Sequence, residues 1–104
     1  MNIKLYGELP REAYEIRQKV FVEEQGFQNE FDETDKFSKH LVLYDTAIPI
    51  ATCRFFQSSY RKYTIGRIAV IKQYRGQNIG SYLLTLAENE IRKIGGTQIY
   101  LHAQ

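Results

Sequence analysis

The sequence predicts an α/β fold built on one mixed sheet, and three observations carry that expectation. A strand pattern at Tyr63 to Val70 runs through a glycine-bearing turn into an amphipathic helix, then into a second strand pattern at Gln98 to Leu101. Such a β-α-β unit joins two parallel strands by a right-handed crossover. The β-rich runs Leu41 to Tyr44, Ile50 to Phe56 and Tyr63 to Val70 are separated by short polar connections, which makes them antiparallel neighbours. Near the start, a short alternating segment gives way to a helical one.

Taken in order, Ile3 to Tyr6 alternates as a strand does and Gly7 closes it. Leu9, Ala13, Ile16 and Val20 recur at helical spacing, with Pro10 tolerated in the first turn; this helix should end near Phe21 to Glu24. From Glu23 to Asp35 the period is lost. Glu23, Glu24, Glu30, Asp32, Glu33 and Asp35 gather around Phe27 and Phe31 in an irregular or short-helical connection. A solvated acidic face and an acidic rim drawing a cationic amine are both open readings, while the spacing fits no calcium loop. Asp45 to Pro49 supplies turn residues, and Ser58 and Ser59 sit in a polar loop. In the last helix Ile79, Tyr82, Leu83, Leu86, Ala87, Ile91 and Ile94 form one stripe, which Gly95-Gly96 stops.

With 104 residues the chain fits a single domain covering residues 1–104, with room for one modest core. At 43% hydrophobic and 25% charged residues it reads as globular rather than disordered. A net charge of +2 is too weak to argue for nucleic acid, and Tyr60-Arg61-Lys62-Tyr63 reads as a solvated hairpin loop. Cys53 is alone, so no intrachain disulfide forms and a reducing cytoplasm is the natural setting. Within its apolar strand that thiol reads as buried and inert. No apolar run approaches a membrane span and the first residues lack a secretory pattern, so a cytoplasmic location without a membrane partner is expected.

The turn Arg75-Gly76-Gln77-Asn78-Ile79-Gly80 carries the chemistry. The first N–H groups of a helix have no intrahelical partner and hold about half a positive charge. Glycines let a ligand approach the backbone, and an arginine at the mouth adds a charge with phosphate geometry. Together these make a pyrophosphate cradle, although spacing alone leaves an ordinary turn before a helix open. A Walker motif and a dinucleotide fingerprint are excluded, since the Gly-Lys-Ser/Thr and the three spaced glycines are missing.

The stretch Ile68 to Leu84 resembles motif A of the GNAT superfamily, a strand followed by Arg/Gln-x-x-Gly-x-Gly/Ala at a helix start. Arg75 and Gly80 match its ends, and Asn78 stands at the central glycine position. Asn is the non-glycine residue most tolerant of positive φ, so the loop should be intact. Upstream, Arg17-Gln18-Lys19-Val20-Phe21-Val22-Glu23-Glu24-Gln25 is similar to the Arg-x-x-Val-Phe-x-x-Glu-Gln stretch of the small ElaA- and YjcF-like acetyltransferases. The closing Leu101-His102-Ala103-Gln104 resembles their fifth strand.

The resemblance implies the acyl-CoA N-acyltransferase fold, here cut short after the fifth strand. It implies acetyl-CoA as cosubstrate, no metal, and a small-molecule or peptide amine as acceptor. Backbone groups of Ile68, Ala69 and Val70 would meet the pantetheine arm. Arg75 and the amides of Gly76, Gln77, Asn78, Ile79, Gly80 and Ser81 would hold the pyrophosphate, and His102 is a further candidate contact. Many relatives carry a Glu base in the strand before motif A, where this chain reads Ile65-Gly66-Arg67. Glu24 and His40 are the substitutes, and Arg54 is expected to pair with an acidic neighbour or an anionic substrate group. A CoA-binding module without turnover is the alternative function. A last strand open on one side also predicts either a homo-oligomer joined near residues 97–104, a homodimer first of all, or a marginal, aggregation-prone monomer.

Overall fold

The computed structural model describes residues 1–27 and 31–102. Five strands, β1 (Asn2–Tyr6), β2 (Lys39–Asp45), β3 (Ile48–Ser59), β4 (Lys62–Val70) and β5 (Gln98–Leu101), make one sheet in the order β1-β2-β3-β4-β5. The first four pair antiparallel and β5 joins β4 in parallel, as the β-α-β pattern required. The two helices are α1 (Arg11–Arg17), which continues as a wider π-helical stretch over Gln18–Glu24, and α2 (Ile79–Lys93). A short 3-10 turn over Glu33–Phe37 leads into β2.

Both hairpins are tighter than the sequence suggested. Each closes with two residues, and Thr46 and Arg61 adopt φ of 59° and 55°, the left-handed geometry that suits strand twist. Ser58 and Ser59 therefore lie in β3 rather than in a loop. Pro49 is also within β3, next to the register shift at Leu43/Tyr44, where a missing N–H is tolerated.

Strand alternation sorts the core into two layers. Leu41, Leu43, Ala51, Cys53, Phe55, Tyr63 and Ile65 cluster with Ile79, Leu83, Ala87 and Ile91 of α2. Val42, Tyr44 and Ala69 cluster with Ala13 and Ile16 of α1 and with Val20 and Phe21. Leu86 is only partly buried, and Tyr82 and Ile94 are exposed, so the buried stripe of α2 is narrower than the sequence suggested.

Along β4 the alternation changes phase. Tyr63 and Ile65 face α2, and so do Ile68 and Val70 three residues on. The extra residue is absorbed at Arg67, whose φ is 53°, opposite a register shift at Thr52/Arg54. This is a β-bulge, and it bends the strand where the site forms.

Candidate active site

β4 outruns β5. The two strands pair only from Lys62↔Gln98 to Ile65↔Leu101, and the last tie is the His102 N–H donating to the Ile65 carbonyl at 2.8 Å. Beyond that point Gly66–Val70 pairs with β3 alone among the described residues, so the sheet forks at the Arg67 bulge. The Ile71 N–H donates to the Ile50 carbonyl at 3.0 Å, which turns Ile71, and by alternation Ala69, toward β3. Ile68 and Val70 therefore turn their N–H and C=O groups into the fork. Ala69 does not, which corrects the expectation that all three present backbone to a ligand; its side chain is buried against α1 instead. His102 stands at the apex, its Cβ 3.6 Å from where a Cβ on Gly66 would lie.

At the open end of the fork the chain turns into α2. Gly76 has φ of 79°, and Asn78 lies in the left-handed region at φ 59°, ψ 25°, as expected of a residue in the motif's glycine position. The Asn78 side chain makes no capping bond to the helix. The ladder starts with the Tyr82 N–H on the Asn78 carbonyl at 3.1 Å, so the N–H groups of Ile79, Gly80 and Ser81 precede it. A cavity of about 320 Å³ opens here, lined by Val70, Tyr74, Arg75, Gly76, Asn78, Ile79, Gly80 and Ser81. Gln77 does not line it.

Arg75 is at the mouth, but its guanidinium is already engaged. Nη1 and Nη2 each donate to the Glu24 carboxylate at 2.9 Å, and Nε donates to the Val70 carbonyl at 3.0 Å. The bond from Arg75 holds the Glu24 carboxyl below the usual carboxylate range. Glu24 is thus an ion-pair partner, which removes it as a proton acceptor near neutral pH.

His40 is also displaced from its expected role. It is 1% exposed on β2, with Nε2 3.1 Å from the Asp35 carbonyl oxygen, and burial lowers its pKa. Around it runs an ion-pair network that the sequence did not reveal. Asp35 accepts from Arg17 at 2.8 and 3.1 Å and from Arg54 at 2.9 Å. Asp32 accepts from Arg54 at 2.7 Å and from Arg67 at 3.1 Å. The expected acidic partner of Arg54 is real, and it is shared. A lone glycine inside a strand pattern, Gly66, was the one available signal for the bulge that sets Arg67 here.

The acidic connection is consequently no bare rim. Asp32 and Asp35 are held by arginines, Glu24 by Arg75, and Glu33 by Lys36 at 3.1 Å; Glu30 lies outside the described residues, and Glu23 is exposed. A cavity of about 510 Å³ remains between Glu8 and Leu9 on one side and Phe31, Asp32, Glu33, Asp35 and Lys36 on the other. Cys53 takes no part: burial pushes its thiol up to about 12.

The model of the acetyltransferase (GNAT) family matches residues 4–104. The chain belongs to that family. Among its GNAT relatives, an acetyltransferase of Bacillus subtilis (strain 168) is 33% identical over 97 residues, 88% of this chain and 65% of that protein. The uncharacterized N-acetyltransferase YjcF of the same organism is 31% identical over 90% of this chain and 68% of its own length. The GNAT chain here thus spans about two thirds of these relatives. Among solved structures, an N-acetyltransferase from Lactobacillus plantarum superposes with a TM-score of 0.89 at 34% identity, over 99% of this chain and 75% of that one. A Brucella melitensis GNAT acetyltransferase solved with acetyl-CoA shares the fold, with a TM-score of 0.73 at 18% identity over 99% of this chain and 77% of that one. No helix among the described residues is long and apolar enough to cross a membrane.

Proposed function

We propose that this chain binds acetyl-CoA along the fork and the start of α2, and passes the acetyl group to a primary amine of a small molecule or peptide. The observation that carries the proposal is that fork-facing backbone at Ile68 and Val70 leads directly to free amides at Ile79–Ser81. Pantetheine, an extended chain of amides, would lie against Gly66–Val70 much as a strand would. The pyrophosphate would meet the N–H groups and the partial positive charge at the helix start. The Brucella structure with acetyl-CoA supports the same choice of cosubstrate.

Chemistry then follows from the groups that face the fork. A strand N–H polarises the thioester carbonyl, the amine nitrogen bonds to the carbonyl carbon, and one such donor stabilises the oxyanion by about 3–4 kcal/mol. The C–S bond breaks as the carbonyl re-forms, the thiolate departs, and the new amide nitrogen sheds its proton to water. The cavity of about 510 Å³ beside α1 is the approach we assign to the amine. Because Glu24 and His40 are both engaged, the amine loses its proton to solvent first, and the rate should climb with pH toward the amine pKa of about 10.

A CoA-binding module without turnover is the second reading, favoured by the same engagement of both candidate bases. Incubation with acetyl-CoA and a panel of primary amines, following the thiol of released CoA, separates the two. Amine-dependent release rising with pH supports transfer. CoA binding without release supports the silent module, and the absence of both defeats each reading.

A further inference from the structure

A guanidinium has two planar forks through which it can take a phosphate or carboxylate with paired bonds, one at its end and one along its Nε edge. In Arg75 the end fork is filled by Glu24, with both bonds at 2.9 Å, and the Nε edge is bonded to the Val70 carbonyl at 3.0 Å. No paired face of this arginine is left for a pyrophosphate, and its charge is matched by an adjacent carboxylate. What the three bonds do instead is join three separate elements. Val70 ends β4 on the fork, Glu24 ends the helical stretch that follows α1, and Arg75 opens the turn into α2.

We propose that Glu24 and Arg75 form a clasp that holds the phosphate-binding turn in its receptive shape, with Arg75 a positioning residue rather than a phosphate ligand. The proposal rests on the CoA-binding reading above and specifies how that site is built. On this view the phosphates are held by backbone amides and the helix end, which the clasp keeps at a fixed distance from the β4 fork.

Calorimetric titration with CoA tests this through a double-mutant cycle with a charge swap. Glu24→Gln and Arg75→Ala should each weaken CoA about threefold, within the range for coupling through residues that do not touch ligand. The double variant should be no weaker than either single one, since the second change finds the clasp already open. The swap of Glu24→Arg with Arg75→Glu restores the ion pair but not the bond to the Val70 carbonyl, so it should bind more tightly than Arg75→Ala without reaching the unaltered protein. Tighter binding by Glu24→Gln would mean the carboxylate competes with phosphate for a true ligand. Loss in Arg75→Ala alone, additive losses, or a swap weaker than Arg75→Ala would equally overturn the clasp. Both side chains are partly exposed, so the fold should survive each change, and thermal unfolding of every variant checks that. Unaltered protein that takes up no CoA overturns the binding reading itself, and the clasp with it; additive losses in a protein that does bind overturn only the clasp.

Discussion

The Arg17 guanidinium and the Asp35 carboxylate meet in a two-bond ion pair, at 2.8 and 3.1 Å, with Arg17 only 1% exposed. Asp35 also accepts from Arg54, itself buried. Removing this one carboxylate therefore takes the two-bond pair from buried Arg17 and leaves Arg54 with Asp32 as its carboxylate. Asp35→Ala should destabilise the fold by about 3–5 kcal/mol, the range for breaking a buried pair from one side. Urea unfolding measures it, and a loss below about 1 kcal/mol would show that water reaches the arginines.

The same network sets the pH response. Burial alone would raise the Asp35 carboxyl, but bonds from Arg17 and Arg54 outweigh it and hold the group below its ordinary range. Burial lowers the His40 pKa, only partly offset by its contact with the Asp35 carbonyl. Both folded-state pKa values are depressed, so both groups contribute stability that is complete above their unfolded values and is lost as pH falls through the folded ones. Acidification should weaken the fold in two stages, beginning below about 6.5 with His40 and continuing below about 3.9 with Asp35. Urea midpoints at descending pH read this directly; a midpoint that rises between pH 7 and 5 contradicts it.

Asn78 occupies the left-handed region without capping α2 through its side chain. Asn78→Gly should therefore leave CoA affinity equal or tighter, since glycine reaches that φ freely. Asn78→Val should cost about 1–2 kcal/mol, because a β-branched residue is strained there. Loss of CoA binding in the glycine variant would assign the Asn78 amide a direct role.

Gly96 packs closely against the core layer that α2 covers. A Cβ placed there would sit 2.3 Å from Ile91 Cγ2 and 2.8 Å from Tyr63 Cδ1, and Ile91 is fully buried. Gly96→Ala should destabilise by about 1–3 kcal/mol through overpacking, with CoA affinity little changed because the cradle is at the other end of α2. Unaltered stability would show that the α2 end backs away from β4 at no cost.

What was legible in the sequence is the part written in local periodicity. The hairpins, α1, α2 and the parallel β5 follow from spacing and turn residues, and the left-handed Asn78 follows from its place among glycines. What was not legible depends on pairs distant in sequence. An acidic neighbour was expected for Arg54, but nothing in the sequence singles out Asp35 as that neighbour or adds Arg17 to the same carboxylate. Glu24 and Arg75 are 51 residues apart, so a candidate base and a candidate phosphate ligand turned out to hold each other. The resemblance implied Ile68, Ala69 and Val70 as a block, whereas consecutive strand residues turn their N–H and C=O groups to opposite sides, which leaves Ala69 facing β3.

The most direct test of the central claim is a titration of labelled protein with CoA, followed by amide chemical shifts. The account predicts saturable shifts centred on Gly76, Asn78, Ile79, Gly80 and Ser81, extending along Ile68 and Val70 toward His102, while the buried amides around Asp35 stay still. Shifts centred instead on Phe31 to Lys36, or no saturable shift at any concentration of CoA, would contradict it.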